Sequence, residues 1–186
     1  IGCGECDACN EDRESDCAAM RIIGLKQKGG FATHCLVEHD KFLVDIDGLD
    51  AADVVPHACS GITVFNALEK MGALRSDEWI AIMGCGGLGM NAISIARAMS
   101  FNNIIAVDID NGKLEAALEM GATKVLNSKN DDAVSELQKL AEGRLMGVLD
   151  TFGGAATGRL AVRALSKAGR YLLVGQAGGD FQMPQV

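Results

Sequence analysis

From residue 79 onward, short unbroken apolar runs alternate with segments in which apolar residues recur every three or four positions. The runs at 79–83, 104–107, 124–127, 145–150 and 170–175 have the length and composition of strands buried on both faces. Between them, helical spacing predicts helices at 112–120, 131–141 and 155–167, with Gly121 and Gly169 as helix-ending glycines. Another helix begins in the glycine-rich stretch after residue 83 and places Leu88, Ala92, Ile95, Ala96 and Met99 on one face. A further helix is predicted at 61–71 from Val64, Phe65, Leu68 and Met71. Strand and helix in strict alternation predict an α/β fold with an open, doubly wound parallel sheet of the Rossmann type. Upstream the rhythm is different. Residues 22–43 read as short strands and turns, with a strand at 31–38, and residues 47–53 as an acidic loop.

The first strand runs into Gly84-Cys85-Gly86-Gly87-Leu88-Gly89, which fits G-x-G-x-x-G. Glycine turns are common, so the motif alone says little. Here it stands between a buried strand and a helix, and the next strand ends on an acid, Asp108. That order predicts dinucleotide binding. Gly84 permits the tight turn, Gly86 lets the backbone approach a pyrophosphate, and Gly89 lets helix and strand pack closely. The helix start offers free N–H groups to the phosphates. Asp108 suits an adenosine ribose with two free hydroxyls and repels a 2′-phosphate, so NAD is expected over NADP. Lys113 lies within reach of the same ribose.

The amino-terminal residues carry a second chemistry. Cys3, Cys6, Cys9 and Cys17 form C-x2-C-x2-C-x7-C among small and acidic residues. No apolar core can hold such a loop. Four thiolates suit tetrahedral zinc and leave no position for water, which predicts a structural site. An iron–sulfur cluster prefers a shorter last spacing followed by proline, whereas Ala18 follows here. Disulfides belong to small secreted domains, unlike the alternation downstream. His34, Cys35 and His39 read as ordinary strand residues, because the adjacent His34 and Cys35 would face opposite ways on a strand. Cys59 stands just before the helix predicted at 61–71, where the free N–H groups favour a thiolate. A nucleophile, a metal ligand and a buried inert thiol all remain open there.

Composition narrows the function classes. Of 186 residues 48% are apolar and only 4% aromatic, so the core is aliphatic. The net charge of −8, without a basic run, disfavours nucleic acid or an anionic membrane as a partner. No apolar stretch approaches the ~20 residues of a membrane span.

Taken together, these stretches resemble the medium-chain, zinc-dependent alcohol dehydrogenases. The spacing of Cys3, Cys6, Cys9 and Cys17 is similar to that family's structural zinc lobe, and GGFATHCLV to the segment after it. HACSGITVFNAL is similar to its C-x-G-x-T-x-x-x-A stretch, and GCGGLG with IIAVDID and Lys113 to its NAD site. The resemblance implies two domains. Residues 1–59 would be the C-terminal part of a GroES-like catalytic domain carrying the zinc lobe, and residues 60–186 an NAD-binding Rossmann domain lacking its last strand.

It also implies roles. Cys59 would be a ligand of a catalytic zinc, and Thr63 a neighbour of the nicotinamide. Leu88 would pack on the nicotinamide ring, and Gly84, Gly86, Gly87 and Gly89 would line the pyrophosphate. Asp108 and Lys113 would hold the ribose, with Val174 and Gly175 closing the far side. Cys35 and Cys85 match no ligand position. The family's other catalytic-zinc ligands and its proton-relay hydroxyl are not found in this sequence, and His57 is no substitute. The expectation is therefore a fragment, inactive alone, of a cytoplasmic enzyme acting on a small alcohol, aldehyde or ketone. The complete enzyme would be a homodimer or homotetramer. A polyol or formaldehyde dehydrogenase of the same superfamily is an alternative. So is a non-catalytic NAD-binding sensor with a zinc-ribbon module, although Glu5, Asp7, Glu11, Asp12, Glu14 and Asp16 around the thiols disfavour a ribbon that binds acidic partners.

Overall fold

A computed structural model describes residues 2–37 and 39–180. Their contacts form two compact units that part between Leu49 and Asp50.

The first unit has little regular structure. A single helical turn, α1 (Asp7–Asn10), and 3-10 turns at Glu14–Asp16 and Asp40–Phe42 are joined by loops. The strand expected at 31–38 is not there: residues 31–37 carry no ladder, and Glu38 lies outside the described residues. A strand needs a partner to bond its N–H and C=O groups. Among the described residues of this unit the only bridge is the isolated one between Ile23 and Gln27. Leu25, Phe31, Leu36 and Val44 are exposed, while Cys17 is buried. Lys41 Nζ pairs with Glu14 Oε1 at 2.6 Å, tying the loop after Phe31 to the cysteine segment. Among the described residues of this unit, Cys17 is the one buried apolar side chain, so no apolar core holds them together.

The second unit opens with a short helix, α2 (Ala51–Val54), capped by the Asp50 carboxylate on the Ala52 N–H at 2.7 Å. A 3-10 turn, Val55–His57, then leads into α3 (Ser60–Met71). This lead-in folds back onto α3. Ser60 Oγ donates to the Pro56 carbonyl, and a Cβ on Gly61 would stand 2.9 Å from His57 Cβ.

The strands are β1 (Trp79–Met83), β2 (Ile104–Asp108), β3 (Lys124–Asn127), β4 (Leu145–Asp150) and β5 (Arg170–Leu173). They lie parallel in the order β3-β2-β1-β4-β5. The helices are α4 (Gly87–Ala98), α5 (Asn111–Glu119), α6 (Ala133–Leu140) and α7 (Ala155–Ala164). Alternation along β1 assigns its faces: Ile80 and Ile82 join Val64, Leu68, Ala92, Ile93, Ala96 and Leu114 of α3, α4 and α5. Trp79, Ala81 and Met83 join Leu137 of α6 and Leu160, Ala161 and Ala164 of α7. Every residue of β1 is buried, which explains its unbroken apolar run. This is the expected doubly wound α/β architecture. The order reverses between β1 and β4, so the crevice where such sheets bind ligands opens beyond Met83 and Asp150.

The ends of α7 and β5 fall short of expectation, each for a local reason. Helix α7 stops at Ala164, where the extended Leu165 lets the Ser166 N–H reach Leu145 O at 2.9 Å. The left-handed residue of that turn is Ala168, at φ 67°, and not Gly169. Gly169 is needed for space, since a Cβ there would lie 2.7 Å from Leu165 Cδ2. Strand β5 ends at Leu173, because the N–H groups of Val174 and Gly175 both turn to Asp150 O, at 3.0 and 2.9 Å.

Candidate cofactor and metal sites

The glycine turn begins where Gly84, at φ 89°, reverses the chain while its N–H bonds Val107 O at 2.8 Å. Gly86 is the N-cap residue of α4. A Cβ on Gly86 or Gly87 would meet nothing within 4 Å, so these two backbones border open space. A Cβ on Gly89 would stand 1.8 Å from Gly84 O. The three positions therefore do different work: one turns, one leaves room, one permits contact. A bare backbone beside a helix N-terminus is what a pyrophosphate needs, and the residues present fit one.

Asp108 ends β2 beside this turn. Its Oδ2 accepts the Cys85 N–H at 2.7 Å, and its Oδ1 accepts those of Ile109 and Asp110 at 2.7 and 3.0 Å. The carboxylate is thus fixed before any ligand arrives. Lys113 is exposed on the first turn of α5, its own N–H bonded to Asp110 Oδ1 at 3.1 Å. Cys85 is buried and its Sγ faces Val107 O at 3.8 Å. Burial first, and the Asp108 charge second, push its thiol up to about 12, against a weak downward pull from Lys113. Burial thus favours its neutral form.

The opposite wall is built from β4. Thr151 Oγ1 lies 2.9 Å from Met83 O and 2.8 Å from Gly84 O, so its hydroxyl ties this wall to the glycine turn. Asp150 is fully buried. Its Oδ1 accepts the N–H groups of Phe152 and Gly153 at 3.0 and 2.8 Å, and its Oδ2 accepts the Tyr171 hydroxyl at 2.9 Å. A Cβ on Gly153 would lie 2.0 Å from Gly175 O, so the two chains touch backbone to backbone. Leu88 and Val174 are half-buried against the same apolar cluster. Sequence reasoning missed Asp150 and Thr151, although an acid ending a buried strand is the signal that singled out Asp108.

Cys59 is the N-cap residue of α3 and is exposed. Its carbonyl accepts both the N–H and the Oγ1 of Thr63, at 3.0 and 2.8 Å. Among the described residues Cys59 joins no cluster of metal-ligating side chains. Neither do His34, Cys35, His39 or His57.

Cys3, Cys6, Cys9 and Cys17 do gather, with all four sulfurs within 4.8 Å of one another. The Cys6–Cys9, Cys6–Cys17 and Cys3–Cys9 separations are 3.6, 3.8 and 4.0 Å. Four sulfurs ~2.3 Å from a central zinc have S···S edges of about 3.8 Å, so the cluster fits that ion. The Cys3 N–H points at Cys17 Sγ from 3.4 Å. The backbone N–H groups of Glu5 and Cys6 pull the Cys3 thiol down to about 6. For Cys6 the Cys9 backbone N–H pulls downward, but the neighbouring Cys9 and Cys3 thiols outweigh it and hold it near 11.

A cleft of about 440 Å³ lies among Leu74, Arg75, Met99, Phe101 and Asn103, at the N-terminal ends of β1 and β2. Open α/β sheets bind ligands at the other end, so this cleft is not the cofactor site. Among the described residues no helix is long and apolar enough to cross a membrane.

Residues 87–186 match the zinc-binding dehydrogenase family. The chain is 35% identical over 182 residues to an NAD-dependent alcohol dehydrogenase of Sulfurisphaera tokodaii, covering 97% of this chain and 52% of that one. It is 34% identical over 182 residues to an alcohol dehydrogenase of Geobacillus stearothermophilus, covering 98% and 53%. It thus spans about half the length of these relatives. The crystal structure of the D-arabinose dehydrogenase from Sulfolobus solfataricus superposes with a TM-score of 0.86 at 27% identity, over 98% of this chain and 58% of that one. On the family match over residues 87–186 and these relatives, the chain belongs to the medium-chain, zinc-binding alcohol dehydrogenase family.

Proposed function

We propose that this chain is the cofactor-binding half of an NAD-linked, zinc-dependent alcohol dehydrogenase. The observation that carries the reading is the joined pair of glycine turn and Asp108 carboxylate at the switch point of the sheet. The chemistry of such a site is hydride acceptance by the nicotinamide and Lewis-acid activation of an alcohol oxygen. This chain's residues supply the surroundings. The N–H groups at the start of α4 bind the pyrophosphate, and Asp108, with Lys113 beside it, takes the ribose hydroxyls. Leu88, Val174 and Gly175 shield the nicotinamide from water, and Thr63 borders it. Cys59 contributes one thiolate to a catalytic zinc, and one ligand of the usual three gives no turnover alone. Cys3, Cys6, Cys9 and Cys17 hold a structural zinc, in what we read as the tail of the catalytic domain. The relatives' names and the acceptor set at Asp108 support NAD as the cofactor.

A second reading replaces the simple alcohol by a sugar or polyol, and the likeness to a D-arabinose dehydrogenase favours it. Titration calorimetry with NADH and NADPH tests the common part. Tighter NADH binding supports the proposal, and equal affinity, or no binding of either, overturns it.

A further inference from the structure

We infer that Asn91 is a positioning residue that clasps the start of α3, and with it Cys59, to the glycine turn; this rests on the roles proposed above for that turn and for Cys59. Asn91 is half-buried on the second turn of α4. One hydrogen of its amide goes to Ser60 Oγ at 2.9 Å and the other to Gly87 O at 3.1 Å. A carbonyl can only accept, so the atom facing Gly87 O is the amide nitrogen. Ser60, the residue after Cys59, donates its own proton to Pro56 O and therefore accepts from Asn91. The donor count leaves one arrangement, a chain running from Gly87 O through Asn91 and Ser60 to Pro56 O.

Thr63 closes the other side of Cys59, with its N–H and its hydroxyl on the Cys59 carbonyl. The backbone around Cys59 is held on both flanks, and one flank ends on the first residue of the phosphate-facing helix. Asn is a poorer residue than Ala inside a helix. Neither the apolar face of α4 nor the glycine motif needs an amide at this position. The two bonds supply the reason for it.

The clasp has a consequence for order. Phosphate bound at the start of α4 restricts Gly87, whose carbonyl holds Asn91, whose amide holds Ser60. Filling the phosphate end therefore steadies the Cys59 arm before the nicotinamide touches Thr63.

Hydrogen exchange of the whole protein with ADP-ribose tests this, because that probe carries the pyrophosphate and both riboses but no nicotinamide. In the parent, exchange should slow in residues 84–90 and also, by about threefold or more, in residues 57–64. Asn91→Ala and Ser60→Ala should each keep the slowing at 84–90 and lose it at 57–64. The double variant should lose nothing further, since both changes break one link. A residue that only stabilised the fold would raise exchange with and without ligand and leave the coupling in place. Coupling that survives in either single variant overturns the inference. So does a parent that slows at 84–90 but not at 57–64, while the proposed function stands. No slowing at 84–90 in the parent overturns the proposed function, and this inference with it.

Discussion

The Asp108 carboxylate accepts the backbone N–H of Cys85 at 2.7 Å, so the acid ending β2 and the glycine turn after β1 are a single hydrogen-bonded unit. Ile109 and Asp110 hold the other carboxylate oxygen through their N–H groups. Asp108 therefore has two duties that substitution can separate. Asp108→Asn keeps an acceptor for Ile109 and Asp110 but loses the charge and turns an NH2 toward Cys85. NADH binding should weaken by about 10- to 100-fold, the scale of a lost charge-assisted hydrogen bond. NADPH, whose 2′-phosphate the charge repels, should lose less. The gap between the cofactors then narrows by about 1–3 kcal/mol. Asp108→Gly should narrow it similarly and also loosen the glycine turn. Calorimetry on parent and variants decides, and an unchanged gap in Asp108→Asn would remove Asp108 as the discriminating group.

Cys85 gives the turn a pH dependence with a definite sign. Burial raises its thiol from 9.0 to about 12, so the fold favours the neutral form. A group raised in the fold contributes fully below its unfolded value and loses that contribution as pH climbs toward the folded value. Stability should therefore fall between pH 9 and about 12, as the folded state holds this proton more tightly than the unfolded one. Tyr171, raised by burial and by its bond to Asp150, acts in the same direction at still higher pH. Cys85→Ala should flatten the loss. Urea unfolding at about pH 8 and about pH 10.5 measures it, and identical slopes in parent and variant would show that Cys85 is not the titrating group.

Much of this architecture is legible in the residues, and what is not has a consistent cause. Strands β1, β3 and β4 run over the residues expected, because a strand buried on both faces admits little besides aliphatics and is bounded by turns. The end of β5 was not legible, because it is set by Asp150 O, over 20 residues earlier in the chain, drawing off two N–H groups. The strand expected at 31–38 fails for the opposite reason: its pattern is strand-like, but pairing depends on a partner that pattern cannot supply. The glycine motif and Asp108 announce themselves by spacing. Asp150, Thr151, Asn91 and Tyr171 do not, since each acts through a bond to a residue distant in sequence.

The four gathered thiols predict a metal that can be counted. Metal analysis should find about one zinc per chain at the amino-terminal cluster, bound with the ~10–16 kcal/mol typical of structural sites. Cys17→Ala removes a buried ligand and should abolish that zinc. Because little apolar surface is buried in the first unit, chelation should release its amides to rapid exchange while β1 and β2 stay protected. Iron in place of zinc, or full zinc in Cys17→Ala, would contradict the assignment.

The last prediction separates two glycines of one motif. Gly86 and Gly89 both belong to G-x-G-x-x-G, yet their surroundings differ completely. A Cβ on Gly86 meets nothing within 4 Å, and its φ of −84° suits any residue. A Cβ on Gly89 would stand 1.8 Å from Gly84 O and 2.9 Å from its carbonyl carbon, atoms of a backbone that cannot step aside. Gly86→Ala should therefore leave stability within about 0.5 kcal/mol, since open space has no packing to disturb. Its methyl would occupy the room a pyrophosphate needs, so NADH binding should fall by about 10-fold or more. Gly89→Ala should push α4 off the end of β1 and cost about 1–3 kcal/mol, the range for overpacking a filled site. Its loss of binding would follow from that displacement. Urea unfolding and calorimetry on the two variants resolve the pair. Were Gly86→Ala to bind NADH normally, the space beside Gly86 would not be the phosphate site, and the cofactor assignment would lose its geometric support.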